Sequence, residues 1–111
     1  RLPLWSTQSR VPAERIAAQR ALRLRHDPRG LAHSLRALGL AEMPDLRPVL
    51  ARVRATVDLM VGEDDPKFLR FAEETAPMLP DARVVVVPEA GHNLPLERPE
   101  AVARELNRKI R

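Results

Sequence analysis

The sequence predicts an α/β protein: a helical leading segment, then two parallel strands, each followed by a helix. Three observations predict it. Residues 1–54 are arginine-rich and carry apolar residues at helical spacing. Residues 55–111 alternate short β-rich runs with amphipathic runs. Val84, Val85, Val86 and Val87 follow one another with no polar break, as suits a strand covered on both faces in a parallel sheet. Alternating strands and helices mark βαβα units with right-handed crossovers. Two parallel strands make a poor sheet by themselves, so their faces call for strands outside these 111 residues.

The elements follow in order. Arg1-Leu2-Pro3-Leu4-Trp5 is apolar, with neither a helix start nor strand alternation. Pro12 suits a first helical turn, and Ile16, Leu22 and Leu24 with intervening alanines predict a helix to about Arg25. Asp27-Pro28 is a second start, Asp as N-cap and Pro at the first helical position. Leu31, Leu35 and Leu38 recur at helical spacing, and Gly39 ends the run. Met43-Pro44-Asp45 opens a short third piece with Leu46, Val49, Leu50 and Val53 on one face. Thr56–Val61 reads as a strand ending at Gly62. From Pro66 a helix sets Phe68, Leu69, Phe71, Ala72 and Met78 to one side. Pro80-Asp81 is a turn, Arg83–Val87 the second strand, and Pro99 starts a last helix through Ala101, Val102, Leu106 and Ile110.

Composition narrows the function classes. Apolar residues make up 44% and charged residues 31%, a globular balance. Without cysteine there is no disulfide, thiolate metal site or thiol nucleophile. His26, His33 and His92 share no ligand spacing, so no metal is expected. No apolar run reaches the length of a membrane span and no signal peptide is visible, so the cytoplasm is the default compartment. A net charge of +4 invites a nucleic-acid reading. Two Phe and one Trp offer no stacking platform, and the arginines interleave with acids as solvated faces do; no nucleic-acid partner is expected. Several arginines among the first 36 residues suit a small anionic ligand instead.

Two loops carry chemistry, and both follow strands, where ligands bind in open α/β sheets. The first is Gly62-Glu63-Asp64-Asp65-Pro66-Lys67-Phe68; the second is Glu89-Ala90-Gly91-His92-Asn93. An acid after one strand and a His after the next can meet at one sheet edge, the acid fixing the imidazole's tautomer and the imidazole moving a proton. Asp65 before a proline also reads as a helix N-cap, with Asp64 as the competing acid. A His in a loop is commonly a surface residue; the pair in this order gives the reading its weight. Ser6, Ser9 and Ser34 are the only serines, and none follows a strand, so the chain offers no nucleophile.

These loops resemble the acid and His loops in the C-terminal half of the α/β-hydrolase superfamily, whose order is Ser, acid, His. In its Gly-x-x-Asp register Asp65 matches the acid. A narrower resemblance rests on Gly62–Phe68, on Gly91-His92-Asn93 with Leu96-Glu97-Arg98-Pro99, and on Gly30-Leu31-Ala32-His33-Ser34-Leu35-Arg36. Together these are similar to the 2-succinyl-6-hydroxy-2,4-cyclohexadiene-1-carboxylate synthases, which eliminate pyruvate in menaquinone biosynthesis. Gly39-Leu40-Ala41 and Pro95 depart from that pattern, which bears on the substrate more than on the fold.

The resemblance implies that residues 1–54 are a cap and residues 55–111 the end of the hydrolase core. It implies a catalytic pair of Asp65 and His92, with the serine in an N-terminal half outside the chain. It implies cap arginines on a polycarboxylate: Arg25 first, with a solvated helix arginine as the plain alternative, and Arg36 second. Trp5 lines the pocket or fills the cap core. No organic cofactor is implied. The rivals are an ester or thioester hydrolase of the same fold and an inactive fragment that needs a partner half. The 111 residues alone are expected to be inactive and to self-associate through the edge beside the first strand.

Overall fold

The computed structural model describes residues 3–39, 41 and 43–110; Arg1, Leu2 and Leu40, used in the reading above, lie outside them. Pro3–Arg10 forms a 3-10 segment where the sequence showed no helix start. Its reason is local: Val11 N donates to Gln8 O and the Ser9 hydroxyl to Ser6 O, both three residues back. Such short-range bonds need no apolar periodicity.

Helix α1 spans Ala13–Leu24, with Pro12 one position earlier than expected, at the N-cap. Helix α2 spans Pro28–Leu38, and the Asp27 carboxylate accepts from Gly30 N at 2.7 Å. Gly39 ends it in an extended conformation rather than a left-handed one. The third helical piece is a 3-10 segment, Arg47–Arg52, opened by Asp45, which accepts from Arg47 N and pairs with the Arg47 side chain.

Strands β1 (Val57–Gly62) and β2 (Ala82–Val87) pair in parallel, Val57 opposite Ala82 and Gly62 opposite Val87. Helix α3 (Pro66–Thr75) connects them and continues as a 3-10 turn, Ala76–Met78. A four-residue helix α4 (Leu94–Glu97), which the sequence reading missed, precedes α5 (Pro99–Ile110).

The core sits where β2 meets the last two helices: Val87, Ala90, Leu94 and Ala101 are buried together, with Met60 and Val102 against them. The valine run is only partly covered. Val87 is buried, whereas Val86 is 46% exposed, in keeping with a strand whose faces call for elements outside these residues. Two strands and their helices supply too little apolar surface to close both sides.

A charged cluster fastens β1, β2 and α5. Asp58 and Arg83 are opposite one another in the sheet register and paired at 2.9 Å. Glu105 pairs with Arg83, and Arg108 reaches both Glu105 and Asp58. Arg83 holds the Glu105 carboxyl below its ordinary pKa.

Candidate functional site

The site is assembled by backbone before any side chain acts. Glu63 N donates to Val87 O, and Asp64 N donates to Ala90 O, each at 2.9 Å. These two bonds lace the loop after β1 to the loop after β2. The close approach needs glycine at Gly62, because a Cβ there would lie 2.2 Å from Ala90 O and 2.3 Å from Gly91 O. Gly91 is equally confined: a Cβ would lie 2.1 Å from Thr7 Oγ1. Between them, Glu89 turns the chain in a left-handed conformation, φ 51°.

Asp65 and His92 meet in this frame. His92 Nδ1 lies 2.8 Å from Asp65 Oδ2. Asp65 is 5% exposed and the His92 side chain 32%. The other oxygen, Asp65 Oδ1, accepts from Phe68 N at 3.4 Å, so one carboxylate both caps α3 and faces the imidazole. An ionised carboxylate only accepts, so Nδ1 carries the proton and Nε2 of the neutral ring has a free lone pair. Asp64 goes elsewhere: it is half-exposed and ion-paired to Arg10 of the leading 3-10 segment.

Two aromatic rings flank the imidazole. Phe68 lies 4.4 Å away, centroid to centroid, at a tilt of 51°. Trp5 stands edge-on at 6.2 Å and remains 39% exposed, so it borders His92 and is not buried in a cap core. The leading segment is also tied down by Arg15, whose guanidinium donates to Leu96 O at 3.1 Å.

Arg25 and Arg36 are not drawn to the imidazole by any described contact. Both are exposed, Arg25 just after α1 and Arg36 on α2, and neither forms an ion pair among the described residues. Ser34 is exposed on α2 and Ser9 donates to Ser6 O; neither is hydrogen-bonded to His92. Among the described residues no three His, Asp or Glu side chains are grouped to hold a metal ion, and no helix is long and apolar enough to cross a membrane.

Sequence reasoning missed Glu97. It is 6% exposed, and its two oxygens accept the N–H groups on either side of His92: Gly91 N at 2.8 Å and Asn93 N at 3.1 Å. The available signal was an acid four residues after a loop Asn and next to an apolar residue, a capping-box pattern displaced by one position.

Strand-end loops laced by backbone, with a buried Asp against a His, suit the carboxyl edge of an open α/β sheet, and the sequence profile of the Alpha/beta hydrolase family matches residues 1–105. The chain belongs to that family. Within it, the chain is 36% identical over 101 residues to the 2-succinyl-6-hydroxy-2,4-cyclohexadiene-1-carboxylate synthase of Salmonella typhi, covering 91% of this chain and 38% of that protein. It is 37% identical over 98 residues to a Bacillus subtilis (strain 168) protein that carries the same synthase name provisionally, covering 88% and 36%. The solved structure of MenH from S. aureus superposes with a TM-score of 0.89 at 28% identity, over 96% of this chain and 40% of that one. The chain thus spans about two fifths of the length of the relatives it matches.

Proposed function

We propose that these residues are the acid-and-histidine part of an α/β-hydrolase-fold lyase that eliminates pyruvate in menaquinone biosynthesis, a cytoplasmic reaction. The observation that carries the reading is the 2.8 Å contact of His92 Nδ1 with the buried Asp65 carboxylate. The synthase names of the relatives support the choice of reaction.

Each residue then has a task. Asp65 holds the Nδ1–H tautomer and stabilises the imidazolium when it forms. His92 Nε2 takes the proton of a serine supplied by the remaining length of the polypeptide. That serine, as alkoxide, removes a proton from the substrate; the freed electron pair forms a new C=C bond as the bond to the leaving group breaks, and the departing enolate takes the proton held on His92 to become pyruvate. Arg25 and Arg36 are exposed cations on the helical segment, free to meet substrate carboxylates once the site is complete. Trp5 borders the imidazole and narrows the space beside it. Strand β1 has no described partner on its second edge. The rest of the sheet pairs there; without it, copies of the chain associate by that edge.

The same Asp–His pair serves an ester or thioester hydrolase, so the test compares reactions. A polypeptide of the relatives' full length, given the synthase substrate, releases pyruvate in a coupled dehydrogenase assay and leaves nitrophenyl esters nearly untouched. Rapid ester hydrolysis with no pyruvate would replace the lyase reading with the hydrolase one. The 111 residues alone turn over neither substrate, since a triad without its nucleophile loses nearly all its rate.

A further inference from the structure

Glu97 is a buried carboxylate with no salt bridge among the described residues, Arg10 acting on it only through space. Its burial is costly unless its lone pairs are used. Among the described residues they accept from two backbone donors, Gly91 N and Asn93 N, which flank His92. Both are charge-assisted bonds, and both converge on one side chain from the peptide units before and after the histidine. The backbone of His92 is thereby gripped on two sides, while its ring meets Asp65.

We propose that Glu97 is the positioning residue for His92: its carboxylate sets the direction in which the imidazole leaves the loop, and with it the Nδ1 contact to Asp65. The proposal rests on the reading of His92 as the proton-transfer group. The other restraints on the loop around His92 are backbone bonds and packing: Leu96 N and Glu97 N donate to Asn93 O, and Ala90 is fully buried. Gly91 offers no side chain, Asn93 makes no side-chain cap, and α4 has only four residues. Carbonyl-side support comes from Asp64 N on Ala90 O, one residue before Gly91. Outer partners of this kind commonly govern activity without touching the reacting atoms.

The test uses a polypeptide of the relatives' full length with nitrogen-15 in its histidines. Glu97→Gln keeps the shape but presents one acceptor and one amino group, so one flanking N–H meets a donor. The proposal expects kcat to fall on the order of 10- to 100-fold with KM nearly unchanged. It also expects the low-field Nδ1 proton of His92, the signature of the Asp65 contact, to weaken or vanish while the far-ultraviolet circular dichroism stays that of the parent. Glu97→Asp, which retains two acceptors on a shorter arm, should recover part of both. A Glu97→Gln variant with parental kcat, or one with reduced kcat and an unaltered His92 signal, would overturn the proposal. If Glu97→Gln does not fold, Glu97→Asp decides. A reduced kcat with a weakened His92 signal supports positioning, and a parental signal overturns it. Asp65→Asn run alongside separates the two levels. If it leaves turnover intact, the reading of the pair fails; if it abolishes turnover while Glu97→Gln does not, only the positioning role fails.

Discussion

The two halves of the chain differ in what holds them. Helix α2 starts from a capped end and α1 from a proline, yet Leu24, Leu35 and Leu38 are 72–75% exposed and neither helix buries a residue. From β1 onward the reverse holds. Val61, Ala72, Val87, Ala90, Leu94, Leu96 and Ala101 are buried, and the loops that carry Asp65 and His92 are fixed by backbone bonds and by Glu97. Helix formation therefore follows from local signals, whereas a site needs long-range packing, which the second half supplies and the first half joins only through Trp5, Arg10 and Arg15.

Substitutions can break that contrast, beginning with the largest effect. Gly62→Ala drives a methyl into two carbonyl oxygens, so it should cost about 3 kcal/mol or more in urea unfolding and part the two loops. Leu94→Ala removes a buried side chain from the core cluster and should cost about 2–4 kcal/mol. Asp27→Ala removes the cap on Gly30 N, with an expected loss of about 1 kcal/mol, read most directly as faster hydrogen exchange in α2 alone. Leu35→Ala, at an exposed position, should change the stability of this chain by less than about 0.5 kcal/mol. A cost as large as that of Leu94→Ala would show that α2 is packed after all.

The smallest effect is one of pH. The folded carboxyl of Glu105 titrates below its ordinary value because of Arg83, so its contribution is full above the unfolded pKa. It is lost as pH falls through the lowered folded value. Replacing Arg83 with Met should flatten the acid side of the stability curve, which a urea series in mildly to strongly acidic buffers would show.

What was legible in the sequence follows the same division. Asp27-Pro28 and Asp65-Pro66 mark helix starts through a cap and a ring that both act within one turn, so they could be read directly. Asp65 was open to two readings, cap or partner of the histidine, and its oxygens divide between the two contacts: one accepts from Phe68 N and the other faces His92 Nδ1. The choice between Asp64 and Asp65 depends on which carboxylate faces the loop after β2, a long-range fact that spacing alone does not contain. Glu97 was hidden for a related reason: its partners are backbone amides, and only a capping-box spacing displaced by one position pointed to them. The run Val84–Val87 reports what a strand can bury, while Val86 is 46% exposed because the described residues hold nothing that covers it.

The central claim is that Asp65, not Asp64, is the acid behind His92. It is tested most directly by kcat for Asp65→Asn and Asp64→Asn in a polypeptide of the relatives' full length. The account predicts a loss on the order of 10⁴-fold for Asp65→Asn, because the imidazole is left in the wrong tautomer. It predicts a change of no more than a few-fold for Asp64→Asn, which loses only an exposed pair with Arg10. A large loss at Asp64 with near-parental turnover at Asp65 would contradict it.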